Sequence, residues 1–249
     1  GQMASEKVLI FDLKGDYAHF KKYYTTTSPL TYSVPPKTSL YGLIGAIIGL
    51  SKEKTDENYY LNYFQDNQCK IAVEILNSIR KTRINLNLID TKKARLMSRI
   101  KTRTQIRTEF LVDPHYRIYF SHSNNQLYNE LKYFLENHYS YYTISLGLSE
   151  NLANYKYIGE YELQHVNSNN NFLDISSIIN IENELISKKD IDFLYKEREY
   201  FTEKVALEMK PNREVVQYGK LLYERNGSPI RVKPKSYYKL GQKKKIMFV

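Results

Sequence analysis

The chain has 249 residues, a net charge of +10 and 42% hydrophobic residues, so it is long enough to bury a sizeable core. Its single cysteine, Cys69, excludes an intramolecular disulfide and a cysteine-based zinc site. The longest apolar stretch, 40–50, is too short to span a bilayer, and no secretory signal is visible. We therefore expect a cytoplasmic protein that needs no metal and no cofactor.

The positive charge is concentrated in two segments. Residues 80–107 contain ten lysines and arginines and one acid, and residues 229–249 contain seven lysines and arginines and no acid. This asymmetry favours a polyanionic partner such as a nucleic acid. A solvated flexible arm would also explain the density of charge, although it would not explain why acidic residues are missing.

The first predicted elements are a strand and a long loop. Lys7–Leu13 is rich in β-forming side chains, and Gly15 ends the strand. Residues 14–37 then form a loop that is long for a compact domain. Its aromatic residues and prolines favour an ordered, functional loop over a disordered one.

The loop leads into an apolar helix over 38–50. Two prolines fix the approach of the chain, and Thr38 or Ser39 is the predicted N-cap. Glycine within a helix costs about 1 kcal/mol relative to alanine, so we expect a sheet or another chain to approach the glycines of this helix closely. These glycines are Gly42, Gly45 and Gly49.

The middle of the chain alternates strands with one amphipathic helix. The predicted strands are 69–76, 106–112, 116–121, 141–148 and 155–163, and the predicted helix is 124–138. With the first strand and helix, we interpret residues 7–163 as following the order strand, helix, strand, strand, helix, strand, which is typical of a ferredoxin-like fold. The basic segment 80–107 has no clear period, so it is predicted to be a protruding arm or an irregular hairpin.

The C-terminal part is predicted to be rich in short strands. It follows three consecutive asparagines at 169–171, and the predicted strands are 201–207, 214–224 and 230–239. Asn226-Gly227 is a strong turn signal, so we expect it to join the last two strands in a hairpin.

The N-terminal block 11–50 resembles a known protein family. It contains FDLKG, AHF, YTTTSP, a tyrosine at 32, PPKT and LYGLIG in this order, and further similar segments are TQI, EFL, YRI, TISLGLSENLANYKY and EMKPNREVVQYGKLLYE. These segments are similar to those of the Cas-five family, the RAMP-type CRISPR-associated subunit of Cascade surveillance complexes, in its type I-B-like branch. A match of this length and order is specific.

The resemblance implies an α+β protein that holds the 5′ handle of a CRISPR RNA (crRNA). The expected architecture is a ferredoxin-like (RRM/RAMP) domain over 5–165, with an inserted basic arm, or thumb, at about 78–107, followed by a small β-rich subdomain over 166–249. The implied partners are crRNA, a Cas-seven backbone subunit, a Cas-eight-type large subunit and target DNA near the PAM, in antiviral DNA interference. No membrane partner is expected.

The predicted RNA-binding residues lie in the loop, at the start of the helix and in the arm. Lysines and arginines neutralise phosphates, tyrosines stack on bases, and hydroxyls together with the free N–H groups of a helix N-terminus bind phosphate or ribose. Alternate arginines and lysines share one face of an extended strand. The predicted set is His19, Lys21, Lys22, Tyr23, Tyr24, Thr26, Lys37, Thr38, Ser39, Arg99, Lys101, Arg103 and Arg107.

The resemblance leaves an enzymatic alternative open. Type I-C members of the family process precursor RNA with a tyrosine, a lysine and a histidine, and the matching candidates here are His19, Tyr24 and His115, with Lys21 as the cation. The chain resembles the non-processing branch and has no Lys-His pair after the third strand, so we predict a non-catalytic subunit. The alternatives are a metal-independent endoribonuclease that processes pre-crRNA, and a structural protein whose arm serves only protein contacts.

Overall fold

The computed structural model describes residues 5–22, 29–65, 67–89, 103–212 and 214–249. Its helices and strands are β1 (Ser5–Gly15), β2 (Tyr17–Ala18), α1 (Lys37–Ile48), β3 (Cys69–Ile75), β4 (Lys81–Ile89), β5 (Arg103–Val112), β6 (His115–His122), α2 (Asn125–Glu136), β7 (Ala153–Asn167), β8 (Leu173–Ile175), β9 (Ile179–Asn180), β10 (Tyr200–Met209), β11 (Val215–Glu224), β12 (Ile230–Val232), β13 (Ser236–Leu240) and β14 (Lys244–Ile246). None of the described helices is long and apolar enough to cross a membrane.

A six-stranded sheet organises the protein, with the strand order β14-β13-β7-β1-β6-β3. β1 lies inside this sheet and pairs antiparallel with β7 on one side and with β6 on the other. The elements β1, α1, β3, β6, α2 and β7 follow one another in the predicted order. The strands β4 and β5 are inserted between β3 and β6 and pair with each other outside the large sheet.

The alternation of side chains along β1 supplies both faces of the sheet. Leu9, Phe11 and Leu13 point toward α1 and α2 and lie in the main core, whereas Val8 and Ile10 point to the other face. All five side chains are buried, and full burial of one such side chain stabilises a fold by about 1.5–3 kcal/mol. The whole protein is thus a mixed α/β structure made mostly of sheets.

The end of the chain closes the second face of the curled sheet. The Val249 N–H donates to the Ile71 carbonyl oxygen at 2.9 Å, so the terminus lies along β3 at the far edge. Lys244 Nζ lies 2.9 Å from each carboxylate oxygen of Glu74. Tyr119 donates its hydroxyl to Glu74 Oε1 at 2.8 Å, and burial, with the Glu74 charge beside it, raises the pKa of Tyr119.

A three-stranded sheet, β10-β11-β9, packs on the same core as α1. Val205, Leu207 and Leu221 from this sheet are buried in the main core. Strand β13 also extends the large sheet by pairing with β7. Contacts therefore cross the predicted boundary at 165, and the division into 5–165 and 166–249 stays a prediction.

Two predicted local structures are wrong because long-range contacts replace them. Residues 141–148 do not form a strand, since the N–H groups of Tyr141 and Tyr142 bind the last carbonyls of α1 instead. Asn226-Gly227 lies between β11 and β12, but these two strands do not pair as a hairpin. Strand β11 pairs with β10 and β9, whereas β12 pairs with β8. An ideal Cβ at Gly227 would lie 2.4 Å from the Ile75 carbonyl oxygen, so the turn packs against the end of β3.

The start of α1 and the regularity of the arm also differ from the predictions. Helix α1 begins at Lys37 with Pro36 as its N-cap, so Thr38 and Ser39 are inside the first turn and do not cap the helix. Proline has no N–H and a preset φ, which suits the entry to a helix. The described part of the arm is a regular antiparallel hairpin with continuous register from Lys81 to Ile89, not an irregular one.

We expect Lys244→Met to lower the free energy of unfolding by roughly 2 kcal/mol. The change leaves the Glu74 carboxylate buried without its cation. Loss of one partner costs about 3–5 kcal/mol of stability in a fully buried ion pair, and the cost is lower here because the Lys244 side chain is 32% exposed. Urea denaturation measures the loss. Lys243→Met removes the same charge from an exposed neighbour and should change stability by less than about 0.5 kcal/mol; equal losses in both variants would contradict this role of the pair.

Candidate nucleic-acid interface

A groove of about 330 Å³ runs along α1, between the helix and the segment that follows α2. The described residues that line it include one lysine and no carboxylate, and most of its polar groups are hydroxyls. The lining residues are Thr38, Ser39, Gly42, Leu43, Ala46, Lys52, Tyr60, Thr143, Ser145, Gly147 and Met209.

The first turn of α1 lies at this groove. It contains neither a side-chain cap nor an acidic residue, so no side chain of that turn neutralises the partial positive charge of the helix N-terminus. An ideal Cβ at Gly42 would meet nothing within 4 Å, so no described segment of this chain approaches the helix closely there, and close approach by another chain stays a prediction. Tight packing occurs further along the helix, where a Cβ at Gly45 would lie 3.1 Å from Tyr60 Cβ.

Gly147 fixes the opposite wall of the groove against the N-terminal loop. Its φ of 91° is in the left-handed region, and an ideal Cβ there would lie 1.7 Å from the His19 carbonyl oxygen. The His19 N–H donates to the Leu146 carbonyl oxygen at 3.0 Å. The groove and the start of the predicted RNA-binding loop are therefore in direct contact.

Residues 20–22 and 30–32 form the stem of this loop. The Lys22 N–H donates to the Leu30 carbonyl oxygen at 2.9 Å, and the two sides of the stem run antiparallel. Three predicted RNA-binding residues of the loop lie outside the described residues, and their role stays a prediction: Tyr23, Tyr24 and Thr26.

Glu109 on β5 anchors the stem to the β4-β5 hairpin. Its carboxylate accepts the Thr31 N–H at 3.1 Å and lies 3.8 Å from Lys81 Nζ. Its backbone carbonyl oxygen lies 2.6 Å from His19 Nδ1. Glu109 is not among the predicted residues because a single glutamate in a strand belongs to no motif, and its partners are far away in the chain.

Glu203 on β10 anchors the loop two residues further along the chain. The Ser33 N–H donates to Glu203 Oε1 at 3.0 Å, and the hydroxyls of Tyr116 and Tyr223 donate to the Ser33 carbonyl and hydroxyl oxygens, each at 2.9 Å. Burial raises the pKa of both tyrosines, and the nearby Glu203 charge adds to this effect. The C-terminal side of the loop is thus held by carboxylates from two other strands.

Two of the predicted RNA-binding residues are buried. The His19 ring is 3% exposed and packs against Phe110, with 5.6 Å between the ring centroids. Lys37 is 6% exposed, and its Nζ donates to the Val249 carbonyl oxygen at 3.1 Å. Both side chains connect segments of the fold and do not face the groove surface.

The remaining basic residues of the predicted set differ in exposure. Lys21 is exposed on the stem, whereas Lys22 is half-buried with its Nζ 3.9 Å from Glu203 Oε2. Arg107 is exposed on β5, and Arg103 is the first residue of the same strand. Two predicted residues of the arm, Arg99 and Lys101, lie outside the described residues.

The candidate catalytic residues are not brought together where the structure describes them. His115 begins β6, next to Asp12 and Arg117, which form an ion pair at 2.8 Å. Burial lowers the pKa of His115. The His19 ring is instead packed against β5, and Tyr24 is not among the described residues. No group of three His, Cys, Asp or Glu residues in the described part of the chain is arranged to hold a metal ion.

A protein-family model described as "CRISPR-associated protein (Cas_Cas5)" matches residues 8–213. The chain belongs to this family. The matched residues include the large sheet up to β7, both helices, the β4-β5 hairpin and β10. They therefore include every part of the groove and the stem. No curated protein matches the chain by sequence.

The chain shares its fold with a solved structure of low sequence identity. A CRISPR protein from Archaeoglobus fulgidus gives a TM-score of 0.55 at 13% identity and covers 98% of this chain and 99% of that one. A functionally uncharacterized protein from Streptococcus mutans gives 0.45 at 12% identity, covering 94% and 96%. A chain of a CRISPR RNA-guided surveillance complex gives 0.44 at 10% identity, covering 91% of each.

The two groove glycines should respond to alanine in opposite directions. Gly42→Ala should raise the free energy of unfolding by about 1 kcal/mol, because it improves helix propensity and meets open space. Gly147→Ala should lower it by more than about 2 kcal/mol, because it combines a left-handed φ with overlap on the His19 carbonyl. Thermal or urea denaturation measures both changes. A stabilising Gly147→Ala would contradict the described contact.

Proposed function

We propose that this Cas-five family member is a non-catalytic subunit of a type I Cascade complex that binds the 5′ handle of crRNA. The observation that carries the proposal is the set of direct contacts that links the basic hairpin, the N-terminal loop and the open groove of α1. Glu109 joins the hairpin to the stem, and Gly147 joins the stem to the groove.

The groove offers the contacts that a single-stranded RNA requires. Thr38 and Ser39 on one wall, and Thr143 and Ser145 on the other, present hydroxyls that bind phosphate oxygens or 2′-hydroxyls. The N-terminus of α1 adds a partial positive charge at the same place. The open space beside Gly42 allows a ribose-phosphate backbone to approach the helix closely.

The hairpin supplies the long-range electrostatic attraction. The register places Arg83 opposite Glu109 and Asn85 opposite Arg107, so both arginines lie on one face. The Glu109 carboxylate on that face is already engaged by Thr31 and Lys81. Positive charge therefore dominates this face, and it continues to the exposed Lys21 on the stem.

The strand order supports the finer architecture. The strands β7-β1-β6-β3, with α1 and α2 on one face, have the order and connections of a ferredoxin-like (RRM/RAMP) domain, to which we assign this part of the chain. In this assignment β4 and β5 form the inserted thumb. The partners proposed with it are the Cas-seven backbone subunit, the Cas-eight-type large subunit and target DNA near the PAM.

Charge reversal on the interface should weaken binding of a fluorescently labelled handle RNA. We expect Lys21→Glu and Arg107→Glu each to reduce the affinity for RNA about tenfold at low salt. Each variant should also make the plot of log association constant against log salt concentration shallower, by roughly 0.7 for each phosphate that is no longer neutralised. Gly42→Glu should also weaken binding, because it puts a carboxylate into the groove without disturbing packing. Fluorescence anisotropy over a range of salt concentrations measures these effects, with the isolated chain and with the assembled complex.

Lys196→Glu is the matched control for these variants. It makes the same charge change at an exposed position of the β9-β10 connection and should leave handle affinity within about twofold. If all lysine and arginine variants lost affinity equally, the attraction would depend on net charge alone. If none lost affinity, the interface would be assigned to the wrong residues.

The wild-type chain should leave a labelled repeat RNA intact in EDTA. Metal-free cleavage needs a base at the 2′-hydroxyl and an acid at the leaving oxygen, and the described candidates His19 and His115 lie in separate environments. Gel analysis after incubation measures cleavage. Site-specific products that disappear in His19→Ala or His115→Ala would establish the endoribonuclease alternative instead.

A further inference from the structure

Four exposed tyrosines form a patch where α2 ends and the chain crosses the end of α1. Their exposed fractions range from 50% to 66%, which is high for aromatic residues held in ordered structure. We call them the tyrosine patch: Tyr133, Tyr139, Tyr141 and Tyr142. The groove begins at the next residue, Thr143, but the patch itself lies outside the groove lining.

Backbone hydrogen bonds hold the patch in place. The N–H groups of Tyr141 and Tyr142 donate to the Ile47 and Ala46 carbonyl oxygens at 2.8 and 3.0 Å, so they complete the C-terminal end of α1. The buried Tyr155 hydroxyl donates to the Tyr139 carbonyl oxygen at 2.6 Å. A surface that is already ordered loses little conformational entropy when a partner binds.

The rings are arranged edge to face. Tyr133 and Tyr139 have centroids 6.3 Å apart with planes at 63°, and Tyr141 and Tyr142 have centroids 4.8 Å apart at 72°. One ring face of Tyr141 covers Gly49, where an ideal Cβ would lie 2.7 Å from the ring. The exposed ring surfaces therefore point outward, and clustered exposed tyrosines are typical of protein–protein interfaces.

The segment of sequence that carries the patch has a net negative charge, opposite in sign to that of the whole chain. Residues 123–155 contain three glutamates and a single lysine, Lys132, in a protein of net charge +10. Lys132 Nζ lies 3.3 Å from Glu160 and 3.8 Å from Glu136, so its charge is already paired. Glu130 and Glu136 are three residues before and after Tyr133, which puts them beside it on the exposed face of α2.

We propose that the tyrosine patch docks an arginine- and lysine-containing segment of a partner protein. Cations bind favourably over tyrosine rings, and the flanking carboxylates add direct attraction. The same carboxylates repel phosphates, so the patch does not suit RNA or DNA. This inference concerns a surface separate from the proposed RNA interface and does not depend on RNA binding.

The test uses three fluorescein-labelled probes with the full chain: a short peptide of alternating arginine and leucine, the same peptide with glutamate in place of arginine, and a single-stranded oligoribonucleotide. Wild type should bind the arginine peptide at least tenfold more tightly than the glutamate peptide. The net positive charge of the protein would by itself favour the glutamate peptide. The double variant Glu130→Gln/Glu136→Gln and the double variant Tyr133→Ala/Tyr141→Ala should each weaken binding of the arginine peptide about tenfold and leave the oligoribonucleotide unaffected.

Two single substitutions of the same types, placed outside the patch, serve as controls. Glu182→Gln and Tyr195→Ala alter exposed residues elsewhere and should leave affinity for the arginine peptide unchanged. If the tyrosine variant fails to fold, the glutamate variant still decides, because its substitutions are exposed and nearly isosteric. The proposal is overturned if wild type does not prefer the arginine peptide, if control and patch variants weaken equally, or if the tyrosine variant loses the oligoribonucleotide.

Discussion

The position of β1 inside the large sheet is the constraint on which the rest of the structure depends. Its backbone is hydrogen-bonded on both sides, by β6 and β7, and its side chains are buried on both faces. A strand of this kind has backbone groups paired on both sides along its central part, and its side chains join both cores. The N-terminal loop begins where β1 ends, and the segment with Gly147 leads into β7, which pairs with β1. This pairing brings Gly147 and His19 next to each other.

Rigid support at several points keeps the loop and the groove in place. Glu109 and Glu203 come from β5 and β10, far apart in the chain, yet each uses its carboxylate to bind a backbone N–H of the loop, at Thr31 and at Ser33. Charge-assisted bonds to backbone donors are stronger than neutral ones. The surface that we propose for RNA is therefore supported by two strands of the fold, which is what a preorganised binding site requires.

Charge is divided between surfaces of different character. The β4-β5 hairpin presents arginines, with Glu109 on their face already engaged, whereas the tyrosine patch beside α2 presents aromatic rings and glutamates. Electrostatic complementarity mainly determines which partner associates and how fast. A chain with both kinds of surface fits a role between a nucleic acid and a protein, each held on its own side.

The sequence by itself determined the family, through the motifs of the N-terminal block, and the main strands and both helices, because apolar periodicity is a local signal. Lys7–Leu13 and the apolar helix α1 are examples. Only the tertiary structure decided that His19 and Lys37 are buried, that Glu109 and Glu203 hold the loop, and that 141–148 is not a strand. Each of these outcomes depends on a partner distant in the chain, and local pattern shows which residues favour burial but not which segments meet.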